Sequence, residues 1–199
     1  MDASLWDISL QAAMGIGLAA CAGLRAFLPL FLVGVAGRLT FIPLSGPFEW
    51  LASWPALTVF GVAVVTEILA DKIPVVDHVL DLVGGLLKPI AGAMVAASVQ
   101  EHLTPLQMVV AGIVLGGGAA GAVHLAKAKL RLFSTVTTAG LGNPVLSIGE
   151  DAASLVGSLI AIVWPVLLLL LIASTFVLIF FVRSRLRRRA ARLDRRTSG

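Results

Sequence analysis

Tyrosine is absent, cysteine occurs once, and charged residues make up only 13% of the 199 positions, against roughly 25% in soluble domains. The one cysteine, Cys21, excludes an intrachain disulfide and a cysteine metal cluster, and its place inside an apolar run makes packing its expected role. No lysine or arginine precedes Arg25, so the N-terminus lacks the basic region of a cleavable signal peptide and is expected to remain on the mature protein. A Walker motif, Rossmann glycines, a haem-attachment motif, HExxH and GxSxG are also missing, which argues against nucleotide-driven transport by this chain alone and against common hydrolase chemistries. No cofactor is expected, no catalytic residue is assigned, and the sequence leaves a metal site undetermined.

What fills the chain instead is apolar: 58% hydrophobic residues and a mean hydropathy of +1.00. This composition predicts an all-α, polytopic transmembrane helix bundle. The sequence pI near 10.0 belongs to an appendage. Eight arginines from Arg183 to Arg196 against Asp194 alone give the tail +7, and because the whole chain carries +4, everything before Arg183 carries −3. We read residues 1–182 as one transmembrane helical domain and 183–199 as an Arg-rich tail. Basic residues flanking a span stay on the cytoplasmic side, so the expected location is the cell membrane, a bacterial inner membrane, with a cytoplasmic C-terminus. The bilayer is the expected partner, and the polybasic tail could also contact anionic lipid. No nucleic acid is expected, because no aromatic residues interleave the arginines. The glycine-rich fourth helix admits a homodimer.

Five apolar stretches stand out. The first, about residues 8–36, exceeds the roughly 20 residues a span needs, and a break between Gly23 and Pro29 would explain its length. Trp50 and Trp54 are placed as interfacial anchors for a second span ending at Ala70. A third element runs from about Val75 to Val99, and a fourth from Leu106 to Ala126 carries Gly116, Gly117, Gly118 and Gly121. Residues 132–144 read as a polar, glycine-containing connection. The last stretch, 152–182, is too long for one upright span, so Trp164 and Pro165 should kink it or its first half should tilt. Five crossings with an outside N-terminus are the first expectation. Six crossings are the alternative, and they would need a hairpin at Trp164 and Pro165. Gly17, Ala19, Ala20, Ala22, Ala26 and Leu30 also align at constant offset with Gly117, Ala119, Ala120, Ala122, Ala126 and Leu130, which raises an inverted repeat, a common transporter plan.

Charge inside apolar runs is costly and calls for a reason. Glu67, Asp71 and Lys72 mark the end of the second run, Asp77, Asp81 and Lys88 lie in the third, Arg25 interrupts the first, His124, Lys127 and Arg131 end the fourth, and Glu150 and Asp151 open the last. At about 100° per residue, Asp77, Asp81, Gly84 and Lys88 share one helix face. Gly17, Cys21 and Arg25 share another, as do Gly117, Gly121, His124, Lys127 and Arg131, and so do Ser147, Asp151, Ser154 and Ser158. The interior then holds five cations and six carboxylates with His124, nearly balanced, as a buried network requires.

The strings Gly23-Leu24-Arg25-Ala26-Phe27-Leu28-Pro29, Glu67-Ile68-Leu69-Ala70-Asp71-Lys72-Ile73-Pro74-Val75-Val76-Asp77 and Lys88-Pro89-Ile90-Ala91-Gly92-Ala93 resemble a family of small membrane proteins catalogued as domain of unknown function 4126. His124, Lys127, Arg131, Asn143-Pro144, Ser147 and Glu150-Asp151 resemble its remaining motif. The resemblance spans about residues 15–165 and implies a membrane fold with a shared polar site, without a substrate.

Three functional classes fit these residues. The first is a transporter-like or channel-like protein whose converging charges bind a small ion, polar solute or lipid headgroup. There Arg25, Lys88, Lys127 and Arg131 would hold an anionic group, and Glu67, Asp71, Asp77, Glu150 and Asp151 would coordinate a cation or relay protons. The second is a noncatalytic scaffold or assembly factor whose charges are structural ion pairs. The third is an intramembrane lipid-modifying enzyme, supported only by Asp77 and Asp81 one helical turn apart, a pair that could share a divalent ion.

Overall fold

In a computed structural model, the described residues are 4–71, 74–138, 140–168, 170–171, 174–175, 177–178, 181 and 185, with side chains described outside 74–82. The predicted Lys72 and the tail apart from Arg185 lie outside them, as do the side chains of Asp77 and Asp81.

Helix α1, Leu5–Leu24, opens on a capping box in which the Asp7 N–H donates to Ser4 Oγ and the Ser4 N–H donates to the Asp7 carboxylate. Two backbone donors at the helix entrance are thereby satisfied. The helix stops at Arg25, whose backbone is extended at φ −130° and ψ 115°. Helix α2, Phe27–Arg38, starts just beyond, with Pro29 in its first turn, where a missing N–H leaves no helical bond broken.

The chain does not continue in line across this break. Ile42, beyond α2, shares a surface cavity with Leu10, Gln11 and Met14 of α1. Nearby, Ser45 Oγ donates to the carbonyls of Ala97 and Ser98, and Gln100 donates to the Gln11 carbonyl. Helix α2 therefore returns toward the end of the bundle where α1 began. Sequence pattern locates the break in the first run correctly, but it does not reveal the reversal.

A 3-10 turn, Gly46–Ala52, leads into α3, Trp54–Ala70, at a bend of 66°. Helix α3 runs antiparallel to α2, with Gly34 against Leu57, Gly61 against Phe31, the Phe27 and Phe60 rings 6.5 Å apart, and Ala26 beside Glu67. Helix α4, Pro74–Ser98, runs antiparallel to α1, setting Ala96 against Gly15. A 34-residue helical run then goes from Pro105 to Thr138. It comprises α5, Pro105–Ala111, a π-helical segment, Gly112–Gly117, and α6, Gly118–Thr138. Helix α7 covers Asn143–Val163.

Glycine sets the spacing between these helices at two points. A Cβ on Gly116 would fall 2.4 Å from the Gly92 carbonyl oxygen, and one on Gly23 would fall 2.4 Å from that of Ala120. Backbone meets backbone there, as close helix packing in membranes requires. The π-helical widening lies at the first of these contacts, between α4 and the glycine-rich run.

The expected connection at 132–144 is mostly helix. Thr135, Thr137 and Thr138 turn their hydroxyls back to the carbonyls of Arg131, Phe133 and Ser134, so residues that looked loop-forming are satisfied within the helix. The turn shrinks to a few residues around Gly140, at φ +85°. The offset of one hundred that aligns the two Gly/Ala runs pairs the break at Arg25 with Leu125, which lies inside unbroken α6.

At Trp164 the backbone leaves the helix with φ −136° and ψ 69°. A straight helix would set Leu168 about 16 Å along the axis from Gly157. Instead its Cδ1 lies 4.0 Å from the Cβ position of Gly157, and its Cδ2 lies 2.8 Å from that of Gly17. The chain folds back at Trp164–Pro165.

Among the described residues three helices are long and apolar enough to cross a membrane, Leu5–Leu24, Pro105–Thr138 and Asn143–Val163, and the bent pair ending at Ala70 makes a fourth. All four tryptophans gather at one end. Trp6 sits in the first turn of α1, Trp50 and Trp54 flank the bend, where the Arg38 guanidinium stacks 4.2 Å over the Trp54 ring, and Trp164 joins the cavity beside Leu10.

Gly116→Val should lower stability by about 1–3 kcal/mol through overpacking. Gly118→Ala, whose added methyl meets nothing within 4 Å, should stay within about 0.5 kcal/mol of wild type. Denaturant titration of the two variants in mixed micelles measures the contrast.

Candidate functional site

The α1–α2 break creates the site. Arg25 keeps its backbone N–H on the Cys21 carbonyl at 3.1 Å, ending α1. Its extended backbone sends the side chain, 1% exposed, between α3 and α7. Nη1 meets Asp71 Oδ2 at 2.6 Å and the Glu67 carbonyl at 3.4 Å, Nη2 donates to Ser147 Oγ at 2.9 Å, and Nε pairs with Asp151 Oδ1.

Asp71, at the C-cap of α3, ties this arginine to the next. Its Oδ2 also accepts from Arg131 Nη2 at 2.8 Å and from Ser147 Oγ at 3.4 Å. Arg131 reaches Glu150 through two donors, Nε at 3.2 Å and Nη2 at 2.8 Å, a fork that fixes geometry as well as charge. Lys127 Nζ lies 2.9 Å from Glu150 Oε2, 3.9 Å from Asp71 Oδ2 and 3.5 Å from the Leu24 carbonyl at the end of α1. Three cations, Arg25, Lys127 and Arg131, thus face three carboxylates, Asp71, Glu150 and Asp151, drawn from α1, α3, α6 and α7. Removing so many charges from water is tolerable because each has an opposite partner at hydrogen-bonding distance.

Glu67 does something different. Its carboxylate accepts the backbone N–H groups of Ala26 at 2.9 Å and Phe27 at 3.3 Å. These are donors at the start of α2 that have no helical acceptor, and a negative charge there meets the positive end of the helix dipole. Both ends of the break are therefore covered by side chains from other helices: Glu67 on the α2 side and Lys127 on the α1 side.

Beside the break lies a cavity of about 270 Å³ bounded by the start of α2, by α3 and by α4. Lys88 and Gly84 of α4 line it with Glu67, Asp71 and Thr66, and its upper wall is apolar, with Phe27, Val59, Val62 and Ala63. His124, buried on α6, packs against the Gly84–Gly85 pair, its Cε1 3.7 Å from the Cβ position of Gly84.

Seven residues singled out in the sequence, Arg25, Asp71, Lys127, Arg131, Ser147, Glu150 and Asp151, meet in one cluster, and Glu67 adjoins it. The stripes on α1 and α7 face each other: Gly17 lies against Ala161, Ser154 Oγ donates to the Cys21 carbonyl, and Arg25 meets Ser147 and Asp151. Asn143 stands apart, its amide donating to Thr135 Oγ1 at 3.1 Å across the α6–α7 turn. Sequence reasoning missed the backbone groups, namely the N–H donors of Ala26 and Phe27 and the Leu24 carbonyl. Pro29 was the available signal for a new helix start, but the cap comes from a residue 41 positions away. Among the described residues no group of three or more His, Cys, Asp or Glu could hold a metal ion.

Residues 12–185 match the family described as Domain of unknown function (DUF4126). The chain belongs to this family. The matched span contains the whole cluster, from Arg25 to Asp151, together with the cavity beside it. No curated protein and no solved structure matches the chain.

Arg131→Met leaves Glu150 and Asp71 short of a partner and should cost about 3–5 kcal/mol, as should Glu150→Leu. The double variant should cost clearly less than the two together, while the exposed Lys129→Gln stays within about 0.5 kcal/mol of wild type. A double-mutant cycle in mixed micelles reads these values.

Proposed function

We propose that this chain is a transporter-like or channel-like membrane protein whose charge centre engages a small ion, a polar solute or a lipid headgroup. The observation that carries the reading is the covered break. Helix ends buried inside a membrane bundle are common ion and substrate sites in transporters, because their unpaired backbone groups point at the ligand. Here Glu67 and Lys127 occupy those groups and stand next to a cavity. A ligand in the cavity can replace the Glu67 carboxylate on α2 or draw Asp71 away from its arginines, and such exchange of partners is how a network this dense could open and close. With no nucleotide motif in the chain, movement of a solute would be passive or ion-coupled. The arginine tail supports a cytoplasmic C-terminus.

One observation favours a second reading, a scaffold in which the charges only clamp helices. Arg25, Lys127 and Arg131 are each at most 5% exposed and already paired.

Glu67→Gln, Asp71→Asn and Glu150→Gln separate the two. In liposomes the wild-type chain should move a solute from a panel of ions and metabolites, and the three variants, folded by circular dichroism, should lose at least about tenfold in rate. Full rescue of a deletion strain by all three, without flux from the wild type, favours the scaffold.

A further inference from the structure

The cavity beside the break has a charged floor and an apolar wall, and that polarity is directional. Glu67 and Lys88 lie at its base, while Val59 and Val62 lie up to about 12 Å higher along α3, toward the tryptophan end. Both valines are more than 60% exposed, so the wall gives onto the side of the bundle, where hydrocarbon would be. At about 270 Å³ the cavity falls just below the range of small-molecule pockets. It can hold a headgroup but not a whole lipid, so the remainder of an occupant must lie outside, along α3.

Depth agrees with this reading. Arg25 lies about 28 Å along α1 from Trp6, close to the thickness of a bilayer's hydrocarbon core. With the tryptophans at one interface, the charged floor stands at the other, and the apolar wall rises from it toward the membrane centre. That is the orientation of a phospholipid in the leaflet opposite the tryptophans.

We propose that this cavity binds a phospholipid that enters sideways between α3 and α4, its phosphate on Lys88 and one acyl chain against Val59, Val62 and Ala63. The carboxylates in the cavity are engaged, Glu67 by the α2 N–H groups and Asp71 by Arg25 and Arg131. The cation that lines the cavity with them is Lys88, whose ammonium carries three N–H donors and can serve a phosphate oxygen beside the partner it already has. The proposal rests on reading the charge centre as a ligand site, and it names the ligand class.

Native mass spectrometry of the full chain with dihexanoylphosphatidylglycerol, inorganic phosphate and glycerol phosphate tests it, alongside thermal shift with each. One phospholipid per chain should be retained, and Ala63→Trp, which fills the cavity wall without touching a charge, should weaken retention at least about tenfold. Lys88→Gln should do the same, and the two soluble phosphates should give no shift at millimolar concentration. Soluble phosphates binding as tightly as the lipid would overturn the amphiphile, as would unchanged retention in Ala63→Trp. If retention is unchanged but Glu67→Gln still abolishes flux of a water-soluble solute, only the lipid assignment falls. If neither effect appears, the ligand site falls with it.

Discussion

Five N–H donors leave water together when a guanidinium is buried, and at Arg25 the surrounding helices must supply acceptors for them. Asp71 and the Glu67 carbonyl come from α3, and Ser147 and Asp151 from α7. Helices α1, α3 and α7 therefore have little freedom to shift relative to one another, because moving any of them strands a charge at a cost of several kcal/mol. Asp71 extends the constraint to α6 through Arg131. The break in α1 is part of the same requirement. Extended backbone at Arg25 puts the guanidinium between two helices, and the price of interrupting the helix is met by Glu67 and Lys127 at its loose ends.

Away from the charges, close backbone contact does the corresponding work. Gly92 and Gly116 bring α4 against the π-helical segment, and Gly23 brings the end of α1 against the start of α6. These contacts bracket the cluster on one side. On the other, residues of α3 and α4 line the cavity. The arginines are thus held by close partners, while Lys88, itself buried, borders a cavity of about 270 Å³.

Much of this was legible from residue spacing. The stripe Gly17, Cys21, Arg25 and the stripe Ser147, Asp151, Ser154, Ser158 predicted faces that would meet polar groups, and they meet each other. Lys127 and Arg131, one turn apart on α6, fall on the same carboxylate. Direction was less legible. Pro29 marks a helix start, but nothing local says whether the chain continues or doubles back, because Ile42 and Ser45 settle that by contacts with α1 and α4. The 132–138 segment misled because threonine reads as loop-forming until its hydroxyl is seen to bond the preceding turn. Long-range capping by Glu67 has no sequence signature, since the donors it meets are backbone.

The distance in sequence between Arg25 and its acceptors bears on how the chain is made. Ser147 lies 122 positions downstream of Arg25, and at about 5–20 residues per second the ribosome needs roughly 6–24 s to cover that stretch. During that interval α1 and α2 exist with their arginine but without α7. Until α7 is made, the guanidinium has neither Ser147 nor Asp151 to meet, so its set of acceptors is complete only once α7 is in place.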